Sequence, residues 1–299
     1  MQIENALCFY RVMTTTPPPP GAMPSGTPPT GSGHAHPPPS GRPAALDIRG
    51  LTRTYALASG QVHAVRGIDL TVARGEILGF LGPNGAGKTT TLRMLVTLLP
   101  PSGGEARVAG HDLRADPAAV RARIGYVAQA GGLDPACGVR EELLTQARLH
   151  RMTRPQARQR AGELAEELAL TALLDRPTAA LSGGQRRRLE IALGLVHRPE
   201  VLFLDEPTTG LDPVSRAELW QLVRRIRRDH GTTVFLTTHY LDEADALCDR
   251  VVVIDEGRTI AEGTPAALKR QYAPGADGTL QDAFLALTGR GPAHEPVAV

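Results

Sequence analysis

Apolar and polar residues change period several times along this chain, and each change predicts an element. Leu46 and Ile48 alternate with polar neighbours, as do Ile68, Leu70 and Val72 with Asp69 and Thr71. A period of two predicts half-exposed strands. Residues 77–81, 201–204 and 233–236 are instead short continuous apolar runs, the pattern of strands covered on both faces of a parallel sheet. Further strands are expected at 105–109 and 124–128. Residues 251–254 and 258–261, joined by Asp255-Glu256-Gly257, read as a closing hairpin.

Helical patterns fill the intervals. Residues 90–96 follow the first buried run, and a longer helical region spans roughly 139–175. Within it, Thr153-Arg154-Pro155-Gln156 is a capping box with proline in the first turn. Ala157, Ala161, Leu164, Ala165 and Leu168 then form an apolar stripe. Arg158, Arg160, Glu163, Glu166 and Glu167 oppose it and read as a solvated face. Another helix is expected from Asp212 as N-cap and Pro213 in its first turn. Strands alternating with helices predict an α/β domain with a mostly parallel sheet. Residues after about 270 carry little signal and are expected to be a short tail.

Composition separates the first 45 residues from the rest. They hold 11 of the 25 prolines, interleaved with Gly, Ser and Thr. Such a segment buries too little apolar surface to offset its ordering entropy and is expected to be disordered. The whole chain of 299 residues carries a net charge of +2, which argues against a dedicated nucleic-acid binder. Cys8, Cys137 and Cys248 lack metal-ligand spacing and read as free thiols of a reducing compartment. No apolar run approaches the ~18 residues that cross a bilayer. A cytoplasmic protein is expected, with any membrane-spanning helices supplied by another chain.

Gly82-Pro83-Asn84-Gly85-Ala86-Gly87-Lys88-Thr89 fits the phosphate-cradling P-loop, between a buried strand and a helix. The glycines let backbone N–H groups turn towards a polyphosphate, and the helix N-terminus adds partial positive charge. Lys88 is one of only two lysines in the chain. It would neutralise the β- and γ-phosphates, and the Thr89 hydroxyl would coordinate Mg²⁺. These residues predict binding of a nucleoside triphosphate.

Two other predicted strands end in polar groups, and ligands of open α/β sheets bind beyond the carboxyl ends of strands. Leu204 is followed by Asp205 and Glu206, and Leu236 by Thr237, Thr238 and His239. Four apolar residues ending in Asp205 match the Walker B pattern, with Asp205 on Mg²⁺ and Glu206 as general base towards water. In Leu181-Ser182-Gly183-Gly184-Gln185, Ser182 can cap the following helix with Gln185 at the capping-box position. The two glycines there permit close approach to an anion.

Taken together, residues 46–270 resemble the nucleotide-binding subunits of ATP-binding cassette (ABC) transporters. The resemblance implies a P-loop NTPase core, an N-terminal antiparallel β-subdomain and an inserted helical subdomain at about 130–180. It places Tyr55 on the adenine and residues 82–90, including Thr90, around the phosphates. It makes Gln129 the Q-loop residue, a hinge and a Mg²⁺ ligand. Residues 181–185 become the signature, Gly210-Leu211-Asp212 the D-loop and His239 the switch histidine. The family pattern implies a head-to-tail dimer of two copies with ATP and Mg²⁺ at the interface, contacted by Ser182-Gly183-Gly184 of the opposite copy. Thr89-Thr90-Thr91-Leu92-Arg93-Met94, Leu189-Glu190-Ile191-Ala192 and residues 238–245 resemble the drug-exporting ABC-2 branch, daunorubicin-resistance type. That implies an ABC-2 permease as partner and a place on the inner face of the membrane. Import, or a soluble ATPase outside transport, stands as the alternative.

Overall fold

A computed structural model describes residues 44–57, 60–275 and 277–289. The segment expected to be disordered lies outside these residues, except that Ala44 and Ala45 already belong to the first strand.

The described residues form two sheets. The antiparallel one runs in the order β2-β1-β4-β5, from β1 (Ala44–Leu57), β2 (Gly60–Ala73), β4 (Gly103–Val108) and β5 (His111–Asp112). The second has the order β10-β9-β3-β8-β7-β6. Its members are β3 (Ile77–Leu81), β6 (Ile124–Val127), β7 (Val201–Asp205), β8 (Thr233–Thr238), β9 (Arg250–Asp255) and β10 (Arg258–Gly263). All its neighbours pair parallel except β9 with β10, the predicted hairpin.

The continuous apolar runs acquire their meaning from the side-chain alternation of a strand. Val201 and Phe203 of β7 join one core, Leu202 and Leu204 the other. Likewise Leu78 and Phe80 face the antiparallel sheet, while Ile77 and Leu81 face a helical layer. The parallel sheet is thus the partition between two cores, and both faces must be apolar.

The first core also takes in α1 (Lys88–Leu95), through Leu92, Met94 and Leu95. Also on this side is α2 (Pro117–Arg123), capped by Asp116 and contributing Val120. The second core is built by α3 (Val139–Leu149), α4 (Arg154–Glu167), α5 (Gly183–Leu195) and α6 (Pro213–His230). In α6 the caps follow the expectation. Asp212 accepts from the Val214 and Ser215 amides, Pro213 occupies the first turn, and Gly231 closes the helix at φ 66°. Leu219, Leu222, Val223 and Ile226 are its buried stripe. An aspartate N-cap of this kind is worth ~1 kcal/mol.

One charged residue departs from the solvated face expected of α4. Arg160 is buried, and its guanidinium donates to the Val196 and Leu195 carbonyls at the end of α5. The Leu195 carbonyl also accepts from the Arg198 amide at 3.0 Å, and a cation at the carbonyl end of a helix is favoured by its dipole.

The stretch after 270 also holds more structure than its sequence signalled. Following α7 (Leu241–Leu247), α8 (Pro265–Tyr272) and α9 (Leu280–Thr288) close the second core with buried Leu268 and Leu280.

Candidate phosphate-binding site

The carboxyl ends of β3, β7 and β8 open on one cleft of about 510 Å³. Asn84, Gly85, Gly87, Lys88, Thr89 and Thr90 form one wall, and Gln129, Glu206, Thr209 and His239 the other. Ala64 of β2 overhangs it.

The P-loop takes its shape from close backbone contacts. A Cβ on Gly82 would lie 2.4 Å from the Ile254 carbonyl oxygen. Gly87 sits at φ 101°, and a Cβ there would lie 2.5 Å from the Ala64 carbonyl oxygen. Neither position admits a side chain. The Ala86 carbonyl accepts from the Gly257 amide at 3.0 Å, which fastens the loop to the β9–β10 turn. Helix α1 starts at Lys88, so its unpaired N–H groups face the cleft.

Charge converges at the centre. Lys88 Nζ donates to the carbonyl oxygens of Gly82 (2.8 Å) and Pro83 (3.2 Å), and lies 3.3 Å from Glu206 Oε1. Burial pulls the Lys88 ammonium below its ordinary pKa, while Glu206 opposes the shift. Gln129 Nε2 donates to Glu206 Oε2 at 2.9 Å, and His239 Nδ1 lies 3.2 Å from the same oxygen. Burial pushes the Glu206 carboxyl up, but His239 and Lys88 outweigh it and hold the group below its ordinary value. Thr209 Oγ1 donates to Oε2 as well, at 3.4 Å, so Glu206 is an ionised carboxylate with four partners at the cleft wall. Its backbone has φ 44°, a conformation that costs a non-glycine residue ~1–2 kcal/mol.

Asp205 lies just beneath. Its Oδ1 accepts from Thr237 Oγ1 at 2.6 Å and Thr89 Oγ1 at 3.3 Å. Burial raises its pKa, so a nearby cation would stabilise its charged form. With Thr89 and the Gln129 amide oxygen it makes an all-oxygen donor set, the chemistry that suits Mg²⁺. These residues fit that ion.

The structure brings together Lys88, Thr89, Thr90, Gln129, Asp205, Glu206 and His239. Other expected residues are not part of the cleft lining. Tyr55 pairs with Val62 of β2, two residues from the lining Ala64, and lies under the Arg53 guanidinium at 4.7 Å. Ser182 and Gln185 form the expected capping box at the start of α5: Ser182 Oγ accepts from the Gln185 amide, and Gln185 Oε1 from the Ser182 amide. Asp212 is occupied as the N-cap of α6 and also accepts from Ser215 Oγ at 2.6 Å. Thr237, near the end of β8, and Thr209, in the turn after β7, carried no motif signal of their own, because a threonine in a strand looks like any other β-former and one in a turn like any other polar loop residue.

The model of the ABC transporter family matches residues 65–209, from β2 through the P-loop to the segment after β7. The daunorubicin/doxorubicin resistance ATP-binding protein DrrA of Streptomyces peucetius is 51% identical over 225 residues, 75% of this chain and 67% of that protein. The chain belongs to the ABC transporter ATP-binding family. It is also 44% identical to the Nod factor export ATP-binding protein I of Paraburkholderia xenovorans, over 75% of this chain and 72% of that one. A solved ATP-binding subunit of an ABC transporter superposes with a TM-score of 0.71 at 26% identity, covering 82% of this chain and 99% of that one. A dimeric cassette bound to ADP and phosphate after hydrolysis gives 0.67 at 25%, covering 73% and 98%. This ABC protein is accordingly an ATP-binding subunit and a transport-coupled ATPase with a P-loop core. Among its described residues, no helix is long and apolar enough to cross a membrane.

Proposed function

We propose that this ABC subunit powers export of a drug or other hydrophobic compound through a separate ABC-2-type permease, from the inner face of the membrane. The observation that carries its ATPase half is the convergence of Lys88, Gln129 and His239 on Glu206. Relatives named for daunorubicin resistance and for Nod factor export support the direction of transport. The α3–α4 region, following Gln129, is the permease-facing part of this reading.

The catalytic steps follow from charge. ATP enters with its phosphates over the P-loop amides and Lys88, which exchanges the Gly82 and Pro83 carbonyls for phosphate oxygens. Mg²⁺ would be held by Thr89, Asp205 and Gln129, and it supplies neutralisation of phosphate charge. Glu206 takes a proton from water at the γ-phosphate, and His239 and Gln129 keep its carboxylate aimed. The adenine would stack on Tyr55. A second copy offers the N-terminus of α5, Ser182-Gly183-Gly184, to the same γ-phosphate, with Gln185 and Asp212 near the seam. Loss of that anion opens the dimer.

Inside-out vesicles from cells co-producing the subunit and its membrane partner test the reading. ATP should drive doxorubicin into the vesicles, seen as fluorescence quenching, and Glu206→Gln should abolish it. ATP hydrolysis with no quenching by doxorubicin would remove drug export.

A further inference from the structure

Of three consecutive arginines on the signature helix, the middle one is buried. Arg186 is exposed and Arg188 half-buried, whereas Arg187 is 6% exposed. Its guanidinium is spread over three backbone carbonyls from two other segments. Nε donates to the Pro207 carbonyl at 2.9 Å, Nη2 to the Asp205 carbonyl at 3.1 Å and Nη1 to the Ala128 carbonyl at 2.7 Å. Nη1 also donates to Glu190 Oε2 at 2.7 Å, one turn along the same helix.

The positions of these carbonyls matter. Residues 205 and 207 flank Glu206, and Ala128 precedes Gln129. Glu206 itself sits in the left-handed region at φ 44°, which non-glycine residues hold only when their surroundings over-determine it. From the sheet side, the Glu206 amide donates to the Thr237 carbonyl (3.1 Å) and hydroxyl (3.0 Å). From the helix side, the carbonyls before and after Glu206 both accept from Arg187. The turn is gripped from two directions.

We propose that Arg187 is a positioning residue for ATP hydrolysis, clamping the left-handed turn at Glu206 and the backbone before Gln129 in one fork. The proposal rests on Glu206 as the base, and it gives the signature helix a link to its own copy's cleft. A planar guanidinium reaches diverging acceptors that a single ammonium cannot reach together. Charge alone therefore does not suffice. Arg187 touches neither phosphate nor water in this scheme, and acts through Glu206 and Gln129.

Arg187→Lys separates fork geometry from charge, and Glu190→Gln serves as its comparison, since it leaves all three carbonyl bonds in place. Hydrogen exchange is read at the Glu206, Thr208 and Thr209 amides of the nucleotide-free full chain, and kcat and mant-ATP affinity alongside. Arg187→Lys should speed exchange at those amides and lower kcat about 10²-fold, the scale of a catalytic group misplaced by an ångström. Its mant-ATP affinity should stay near wild type, and Glu190→Gln should leave both readouts near wild type. Unchanged exchange at 206–209 in Arg187→Lys would overturn the clamp, as would exchange raised uniformly over the domain. If wild type itself failed to split ATP beside its permease, Glu206 as base would fall, while the exchange data would still decide the clamp.

Discussion

Lys88 Nζ lies 3.3 Å from Glu206 Oε1, with both side chains more than nine-tenths buried. In the proposed scheme this pairs the cation for the phosphates with the carboxylate that activates water, and ATP would compete for Lys88 and so free the base.

Replacing Lys88 by Ala removes a charge-assisted phosphate contact worth ~1.5–3 kcal/mol. Nucleotide affinity should fall by about 10- to 10²-fold, measured as mant-ATP titration. Wild-type affinity in Lys88→Ala would show that the phosphates lie elsewhere.

The motif residues at strand ends were legible because their chemistry demands a place as well as a type. Lys88, Asp205, Glu206 and His239 each follow a strand whose continuous apolar run marks it as buried. Arg160 and Arg187 were not legible. Each lies on a helix among other charged residues, and only the carbonyls of another segment distinguish it from a solvated neighbour. The helices after 264 leave little trace in the sequence because their apolar faces are short, with two buried residues in each.

The two signature glycines differ in what surrounds them within one chain. A Cβ on Gly184 would meet Ser215 Oγ at 3.0 Å and Ser215 Cβ at 3.2 Å, whereas one on Gly183 meets only Leu211 Cδ2 at 3.5 Å. Gly184→Ala should destabilise the fold by ~1–3 kcal/mol through overpacking against α6. Gly183→Ala should leave stability unchanged or raise it by up to ~1 kcal/mol. If its backbone meets a phosphate across a dimer seam, ATPase activity should nevertheless fall more than about tenfold, since a transition-state donor is worth that and more. Thermal melts and steady-state rates on both variants separate the two effects; an active Gly183→Ala would argue against the seam.

Acid should weaken the junction of α3 with α5. His150 and His197 stack with centroids 4.0 Å apart, and His197 Nε2 lies 2.8 Å from the Ile124 carbonyl oxygen. Burial first, then His150 and Arg160, bring His197 down to about 4 from an ordinary 6.5. Burial lowers His150 too. The unfolded chain therefore binds this proton before the folded one does. The His197 contribution to stability is complete above the ordinary value and is lost as pH falls towards 4, by at most ~3 kcal/mol. Urea midpoints measured from pH 7.5 to 5 should decline, and His197→Gln should flatten that decline. An equal slope in the variant would assign it to other groups.

Glu206→Gln offers the most direct test of the ATP-driven dimer. The amide can keep its contact with Gln129 but cannot accept a proton from water, so turnover should drop about 10²–10⁴-fold while ATP stays bound. In sedimentation with saturating ATP and Mg²⁺, the variant should run as a dimer that reverts to monomer when nucleotide is removed. A variant that remains monomeric under saturating ATP and hydrolyses it at the wild-type rate would contradict the account.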